Sequence, residues 1–262
     1  MNALAAALWS ETLKARRSMV PRFAALGFCL APFIGGLFMI ILKDPEQARQ
    51  MGLLGTKAQL AAGAADWPAY FGLLTAATAV GGGLLWALVT SWAFGREFSD
   101  RTVKDLLALP TPRTAIVTAK LIVIAGWAGL ATGLMFGVGL GVGAAVAIPG
   151  WSVQLAGETF GDILAIAALN LALMTPVALL ASAGRGYLPP LGWAFLTIVV
   201  AQVAAAIGWG DWVPWSVPAL FSGLAGPRAE QIGLHSLVMV ALTGLAGLLG
   251  LYYWWLNADQ TR

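Results

Sequence analysis

Six stretches of the chain are apolar almost throughout, near Phe23–Leu42, Ala69–Phe94, Ala115–Ile148, Ile163–Ser182, Pro189–Ile207 and Leu234–Leu256. A helix of about 20 residues crosses a hydrocarbon core of about 30 Å. Apolar and polar positions do not alternate as barrel strands require, and lipid offers no partner to a free backbone amide or carbonyl. The pattern predicts an all-α integral membrane protein with six transmembrane helices, one domain over residues 1–262. Pro32 and Pro176 are expected to kink their helices.

Three shorter segments carry their own pattern. In the N-terminal segment 1–18, Leu4, Leu8, Trp9 and Leu13 share one arc of a helical wheel. Ser10, Glu11, Lys14, Arg17 and Ser18 share the other, while Arg16 intrudes on the apolar arc. This predicts a helix lying in the membrane interface. The segment 208–233 holds Trp209, Trp212 and Trp215 with Pro214, Pro218 and Pro227. It is too short and broken to span, and predicts one or two short helices at the outer interface, either an aromatic anchor or a lid. Between the second and third apolar runs lies the polar island 95–113, GREFSDRTVKDLLALPTPR. Ser99 or Asp100 is a candidate N-cap, Val103, Leu106 and Leu107 fall on one face, and Pro110 and Pro112 end the pattern. Asp100 with Lys104 and Arg101 with Asp105 have the spacing of supporting ion pairs. The island predicts a short helix with an apolar face and charged flanks.

Composition agrees with a membrane protein. Hydrophobic residues make up 59% of the chain and charged ones 10%, against about 25% charged in globular domains. The net charge of +3 does not point to nucleic acid, because the cations sort by side. Lys14, Arg16, Arg17, Arg22, Arg96, Arg101, Lys104, Arg113, Lys120, Arg185 and Arg262 fall on one side, and Lys43, Arg49, Lys57 and Arg228 on the other. By the positive-inside rule both termini and the 95–113 loop are cytoplasmic.

Candidate chemistry is sparse. The chain has no Gly-Lys dipeptide, so no P-loop. Cys29 is the single cysteine, which excludes an intrachain disulfide or a cysteine metal site. His235, the single histidine, reads as an interfacial or packing residue. Lys120 lies near enough to the inner surface to snorkel, Glu158 and Asp162 stand at the outer edge, and Asp162 suits the N-terminus of the fourth helix. Asn170 and Gln202 read as the buried polar residues, and no buried carboxylate of the kind an ion-driven carrier uses is evident. Gly129, Gly133, Gly137 and Gly141 make a stripe that allows close helix packing, within the chain or across a dimer. Gly81, Gly82 and Gly83 mark either packing or a flexible point.

The island Phe94-Gly95-Arg96-Glu97-Phe98-Ser99-Asp100-Arg101-Thr102, followed by Leu106-Leu107-Ala108-Leu109-Pro110, Arg113 and Lys120, resembles a motif of ABC-2-type transporter permease subunits, in the bacitracin-export-like branch. The run Trp215 to Gly223 resembles that family's helical excursion between the last two spans. Many members have glycine where Arg101 stands. The resemblance implies an N-terminal elbow helix, a cytoplasmic coupling helix and an outer excursion between helices 5 and 6. It implies a non-catalytic exporter subunit in a bacterial cell membrane, moving a hydrophobic or amphipathic peptide, drug or lipid. ATP and magnesium would be bound by a separate ATP-binding subunit, with no cofactor in this chain. A second permease, identical or different, would complete the unit. Coupling to the ATPase would fall on Glu97, Asp100, Arg101, Thr102, Val103, Leu106, Leu107, Pro110 and Arg113. An ATP-independent carrier or channel is the alternative.

The charge distribution generates a test. In a Cys29→Ser background, an Arg101→Cys protein should react with a membrane-impermeant thiol reagent only after the membrane is opened. Labelling of intact cells at that position would reverse the topology.

Overall fold

A computed structural model describes residues 2–45, 64–223 and 232–257. Among these the regular elements are all helical, and six helical stretches are long and apolar enough to span a membrane. Arg49, Lys57, Arg228 and Arg262, together with residues 224–231 of the outer segment, lie outside the described residues.

Helix α1, Ala3–Arg17, ends at Ser18, whose extended backbone turns the chain and whose hydroxyl caps the next helix by accepting from the Val20 amide at 3.2 Å. The first span is α2, Met19–Cys29, and α3, Ala31–Lys43, broken at Leu30 with Pro32 in the first turn of α3. Proline is tolerated there because its missing N–H would have no helical partner. The second span is α4, Trp67–Ala77, a π-helical turn over Thr78–Gly82, and α5, Gly83–Ser99. After α6, Val103–Ala108, the third span is the unbroken α7, Arg113–Ala145. The fourth is α8, Val153–Ala172, and α9, Met174–Ala183, again interrupted just before a proline, Pro176. Then come α10, Leu188–Ala206, two 3-10 turns at Gly210–Trp212 and Pro214–Ser216, α11, Val217–Phe221, and the last span α12, Leu234–Asn257.

Contacts between ends show the spans alternating in direction. At one end Lys43 donates to the carbonyls of Val146 and Ala147 at 2.9 and 3.2 Å, and the Trp67 amide to Pro149 at 3.0 Å. At the other, Arg113 donates to the Trp255 carbonyl at 3.0 Å and the Trp255 indole to Ser182 at 3.0 Å. The second end, which also holds α1 and α6, is called the loop end below, and the first the excursion end.

The fourth span starts at Val153, well before Ile163, because Ser152 caps it by accepting from the Leu155 amide at 3.0 Å. Asp162 therefore sits inside α8 rather than at its N-terminus, which corrects its expected role. Gln202 is exposed, not buried, although it borders a cavity. Part of the excursion packs inward: Val217 is fully buried and Leu220 nearly so, whereas Trp209 and Trp212 stay exposed.

The glycines of α7 divide by face. A Cβ on Gly139 would meet Leu74, and one on Gly143 would overlap the Trp67 ring, so these two admit the aromatic cluster of Trp67, Tyr70, Phe71 and Phe136. Among the described residues, Gly129, Gly133, Gly137 and Gly141 have nothing within 4 Å of that position. The stripe thus faces away from the described helices, which corrects the expectation that it packs within the chain. Ala131, by contrast, is buried.

Gly143→Leu and Ala131→Leu should each overpack the core and destabilise the chain by roughly 1–3 kcal/mol or more. Gly133→Leu should leave the single chain close to wild type. Size-exclusion profiles and thermal melts of the three variants in detergent check this, and equal losses in all three would contradict the assignment of faces.

Candidate functional site

The loop end is organised by a buried ionic cluster. Ala7, Glu11 and Ala15 form the stripe of α1 that faces the protein and packs against α7. This corrects the expected orientation of Glu11: small alanines let the helix approach, and the glutamate goes inward with them. Lys120 on α7 is 1% exposed and Glu97 on α5 is 3% exposed. The Lys120 ammonium donates to Glu11 Oε2 at 3.0 Å, to Glu97 Oε1 at 3.1 Å and to the Ala93 carbonyl at 2.8 Å. Lys14 donates to Glu11 Oε1 and Glu97 Oε1, both at 2.8 Å. The Thr102 hydroxyl donates to Glu97 Oε2 at 2.7 Å.

Two carboxylates and two ammoniums thus balance, and all three protons of Lys120 are used. Lys120 does not snorkel, because its partners come to it. A buried carboxylate is present after all, but both oxygens of Glu97 are engaged by three donors. Burial of Lys14 works against its charge, yet the carboxylates of Glu11 and Glu97 outweigh it and hold its pKa above the ordinary 10.5. A raised lysine value means that its stabilising contribution is complete below that pH and is lost only as pH rises beyond it.

The loop is bolted to this cluster. Helix α5 continues to Ser99, so neither Ser99 nor Asp100 caps α6; Asp100 is instead the C-cap of α5. The Thr102 amide donates to the Glu97 carbonyl at 2.9 Å and the Arg101 amide to that of Phe98 at 3.2 Å, a Schellman ending with Arg101 at φ 58°. This left-handed position is where the family resemblance has glycine. A side chain there is strained by roughly 1–2 kcal/mol. Because the chain reverses at Arg101, Asp100 and Lys104 do not share a helix, and Asp100 lies 3.8 Å from Arg96.

Helix α6 is short. Val103 is buried against its own protein, and Leu106 and Leu107 are half-buried against the same core. The outer side shows Asp100, Arg101, Thr102, Lys104, Asp105, Ala108, Leu109 and Pro110. Leu109 takes the extended backbone a residue before proline prefers, which ends the helix. Arg113 is held by the end of α12 rather than pointing outward. Gly95 is a residue that sequence reasoning left without a role: a Cβ there would stand 2.9 Å from the Gly186 carbonyl. It lets α5 press on the link between the fourth and fifth spans.

A second polar feature lies deeper. The π turn at Thr78–Gly82 frees carbonyls, and the Asn170 amide donates to those of Thr78 and Ala79 at 3.0 and 3.2 Å. Asn170 is buried as expected, and it accounts for Gly83, where a Cβ would stand 3.0 Å from Asn170 Oδ1, whereas a Cβ on Gly81 would meet no described residue within 4 Å. Beside them is a cavity of about 110 Å³, mostly apolar, bordered by Asn170, Met174, Thr197, Gln202, Trp215 and Ser216. At the excursion end His235 Nε2 lies 3.0 Å from Asp211 Oδ2 and its ring packs on Trp212, so His235 fastens the excursion to α12. Among the described residues no group of acids, histidine and cysteine is placed to hold a metal.

The fold is that of a six-span membrane protein with an ionically braced loop, and relatives give its class. The model of the ABC-2 family transporter proteins matches residues 7–201. The chain is 26% identical over 165 residues to the bacitracin transport permease protein BCRB of Bacillus licheniformis, covering 63% of this chain and 78% of that protein. No solved structure matches. The chain belongs to the ABC-2 family of transporter proteins.

Lys120→Met should leave one carboxylate of the cluster uncompensated and destabilise the protein by roughly 3–5 kcal/mol. Adding Glu97→Gln restores the balance of charge and should recover part of the loss. Thermal unfolding in detergent measures both, and a wild-type melt for Lys120→Met would show that the cluster carries no stability.

Proposed function

We propose that this chain is the membrane-spanning permease subunit of an ATP-driven exporter, with ATP and magnesium bound by a separate ATP-binding subunit. The carrying observation is the braced loop. Glu97 and Thr102 tie α6 to Lys14 of α1 and Lys120 of α7, while its outer side offers a small exposed surface of both charges around Leu109. Such a loop moves as one piece with the spans when a partner pushes on it. The cation distribution supports a cytoplasmic loop end and cytoplasmic termini. Family membership and the absence of a P-loop support a partner that supplies the energy.

A second permease would cover part of the apolar surface, and the outward glycine stripe of α7 is a candidate for that contact. Spans with few charged side chains support a hydrophobic or amphipathic cargo. Transport needs unequal contacts in two states, and the broken first, second and fourth spans provide places where the bundle can bend. An ATP-independent carrier is disfavoured because the buried carboxylates of the loop end, Glu11 and Glu97, are already paired with Lys14 and Lys120.

Leu106→Asp would disturb the permease itself, so Leu109→Asp is the cleaner probe. The tagged wild-type protein, purified from its native membrane in mild detergent, should retain an ATP-binding-cassette protein identifiable by mass spectrometry. Leu109→Asp should insert normally and lose at least tenfold of that retention, about 1.4 kcal/mol. Recovery of wild-type protein without any ATP-binding subunit would overturn the reading.

A further inference from the structure

A cleft of about 690 Å³ opens at the loop end between α1, the start of α2, the end of α5 and the first turns of α10. That size is within the range of small-ligand sites. Its polar rim is cationic. Lys14 is consumed by Glu11 and Glu97. Arg17, exposed on the last turn of α1, forms no ion pair with another described residue. Arg96 lies 5.0 Å from the centre of the Trp92 ring and reaches Asp100 only at 3.8 Å, with that carboxylate half exposed. Such a solvent-facing pair contributes little. Two guanidiniums against one screened carboxylate leave the rim with an excess of one positive charge.

The remainder of the cleft is apolar and follows the spans inward. Val20, Leu88 and Leu191 stand on α2, α5 and α10 and form its floor, with Leu88 still 39% exposed. Trp92 and Tyr187 stand between the cations and this floor. Aromatic rings with a polar edge take that level at a membrane surface, between head groups and chains. Basic pockets between membrane helices bind anionic head groups. A guanidinium fork also fits phosphate oxygens in pairs.

We propose that this cleft binds one anionic phospholipid from the leaflet at the loop end, with Arg17 and Arg96 on the phosphodiester and an acyl chain along Val20, Leu88 and Leu191. The lipid wedges between α1 and α5, next to the Lys14 that joins them. It thereby sets how tightly the N-terminal helix is held to the braced loop. The inference rests on the membrane-spanning fold and not on ATP-driven export, so its failure and the failure of the proposed function are separate results.

Native mass spectrometry of the full chain, delipidated in detergent and then titrated with dioleoyl phosphatidylglycerol or dioleoyl phosphatidylcholine, tests the proposal. One phosphatidylglycerol should be retained at least tenfold more strongly than phosphatidylcholine. Arg17→Gln, an exposed change the fold tolerates, should reduce that preference severalfold, and Arg17→Gln with Arg96→Gln should abolish it. Arg16→Gln, the same change of charge on the same helix but outside the cleft, should leave it intact. Inorganic phosphate should fail to displace the lipid. Equal retention of the two lipids, or an equal loss in Arg16→Gln, would overturn the site, and displacement by phosphate alone would overturn its assignment to a lipid.

Discussion

Within a hydrocarbon layer no water is at hand to accept or donate a hydrogen bond, and this constraint orders nearly every polar position in the bundle. Where the π turn frees carbonyls, Asn170 supplies an amide. Where α8 breaks ahead of Pro176, the Thr175 hydroxyl reaches the Ala172 and Gly244 carbonyls. The Tyr70 hydroxyl reaches the Pro32 carbonyl in the kinked first span. Charges obey the same rule more strictly, so Lys120 and Glu97 are buried only because they arrive together with Glu11 and Lys14. Among the described residues, the buried side-chain polar atoms without a partner are Trp86 Nε1, Thr90 Oγ1, Thr132 Oγ1 and Trp193 Nε1. All four are neutral, and their cost is far below that of an unpaired ion.

The cluster also determines what can move with what. It joins three pieces distant in the chain: the N-terminal helix, the end of the second span and the start of the third. Thr102 adds the first residue past the Schellman turn. Force applied to α6 reaches α5 and α7 through short, charge-assisted bonds rather than through a slack loop. The strained Arg101 conformation belongs to this device, because the left-handed residue is what turns the chain sharply enough to return Thr102 to Glu97.

Small residues have two distinct uses in α7. Gly139 and Gly143 face inward, where they accept Leu74 and Trp67. The stripe from Gly129 to Gly141 faces outward and leaves a smooth surface. The same residue type at nearby positions thus serves the core on one side and the surroundings on the other. In water an apolar outer face would signal a missing partner, but on a spanning helix lipid is its ordinary neighbour.

The sequence by itself determined the six spans, the proline breaks, the polar loop between the second and third spans and which connections share an end. Each follows from a local rule of apolar length, proline geometry or charge count, and needs no neighbour to be known. Asn170 was legible as buried, but the same reasoning failed for Gln202, because only the arrangement of neighbouring helices decides which amide in an apolar run is covered. Tertiary structure alone decided the rest. A helical wheel sorts Glu11 and Lys14 as polar without saying that alanines flank Glu11 on the side that docks. Lys120 read as a snorkelling residue because its three acceptors lie on other elements, up to 109 positions away. Four equally spaced glycines look alike in sequence, and only the position of the neighbouring helices shows that they face outward while Gly139 and Gly143 face in. Long-range pairing of charge and the choice of face depend on which helices become neighbours, and a local pattern carries no information on that.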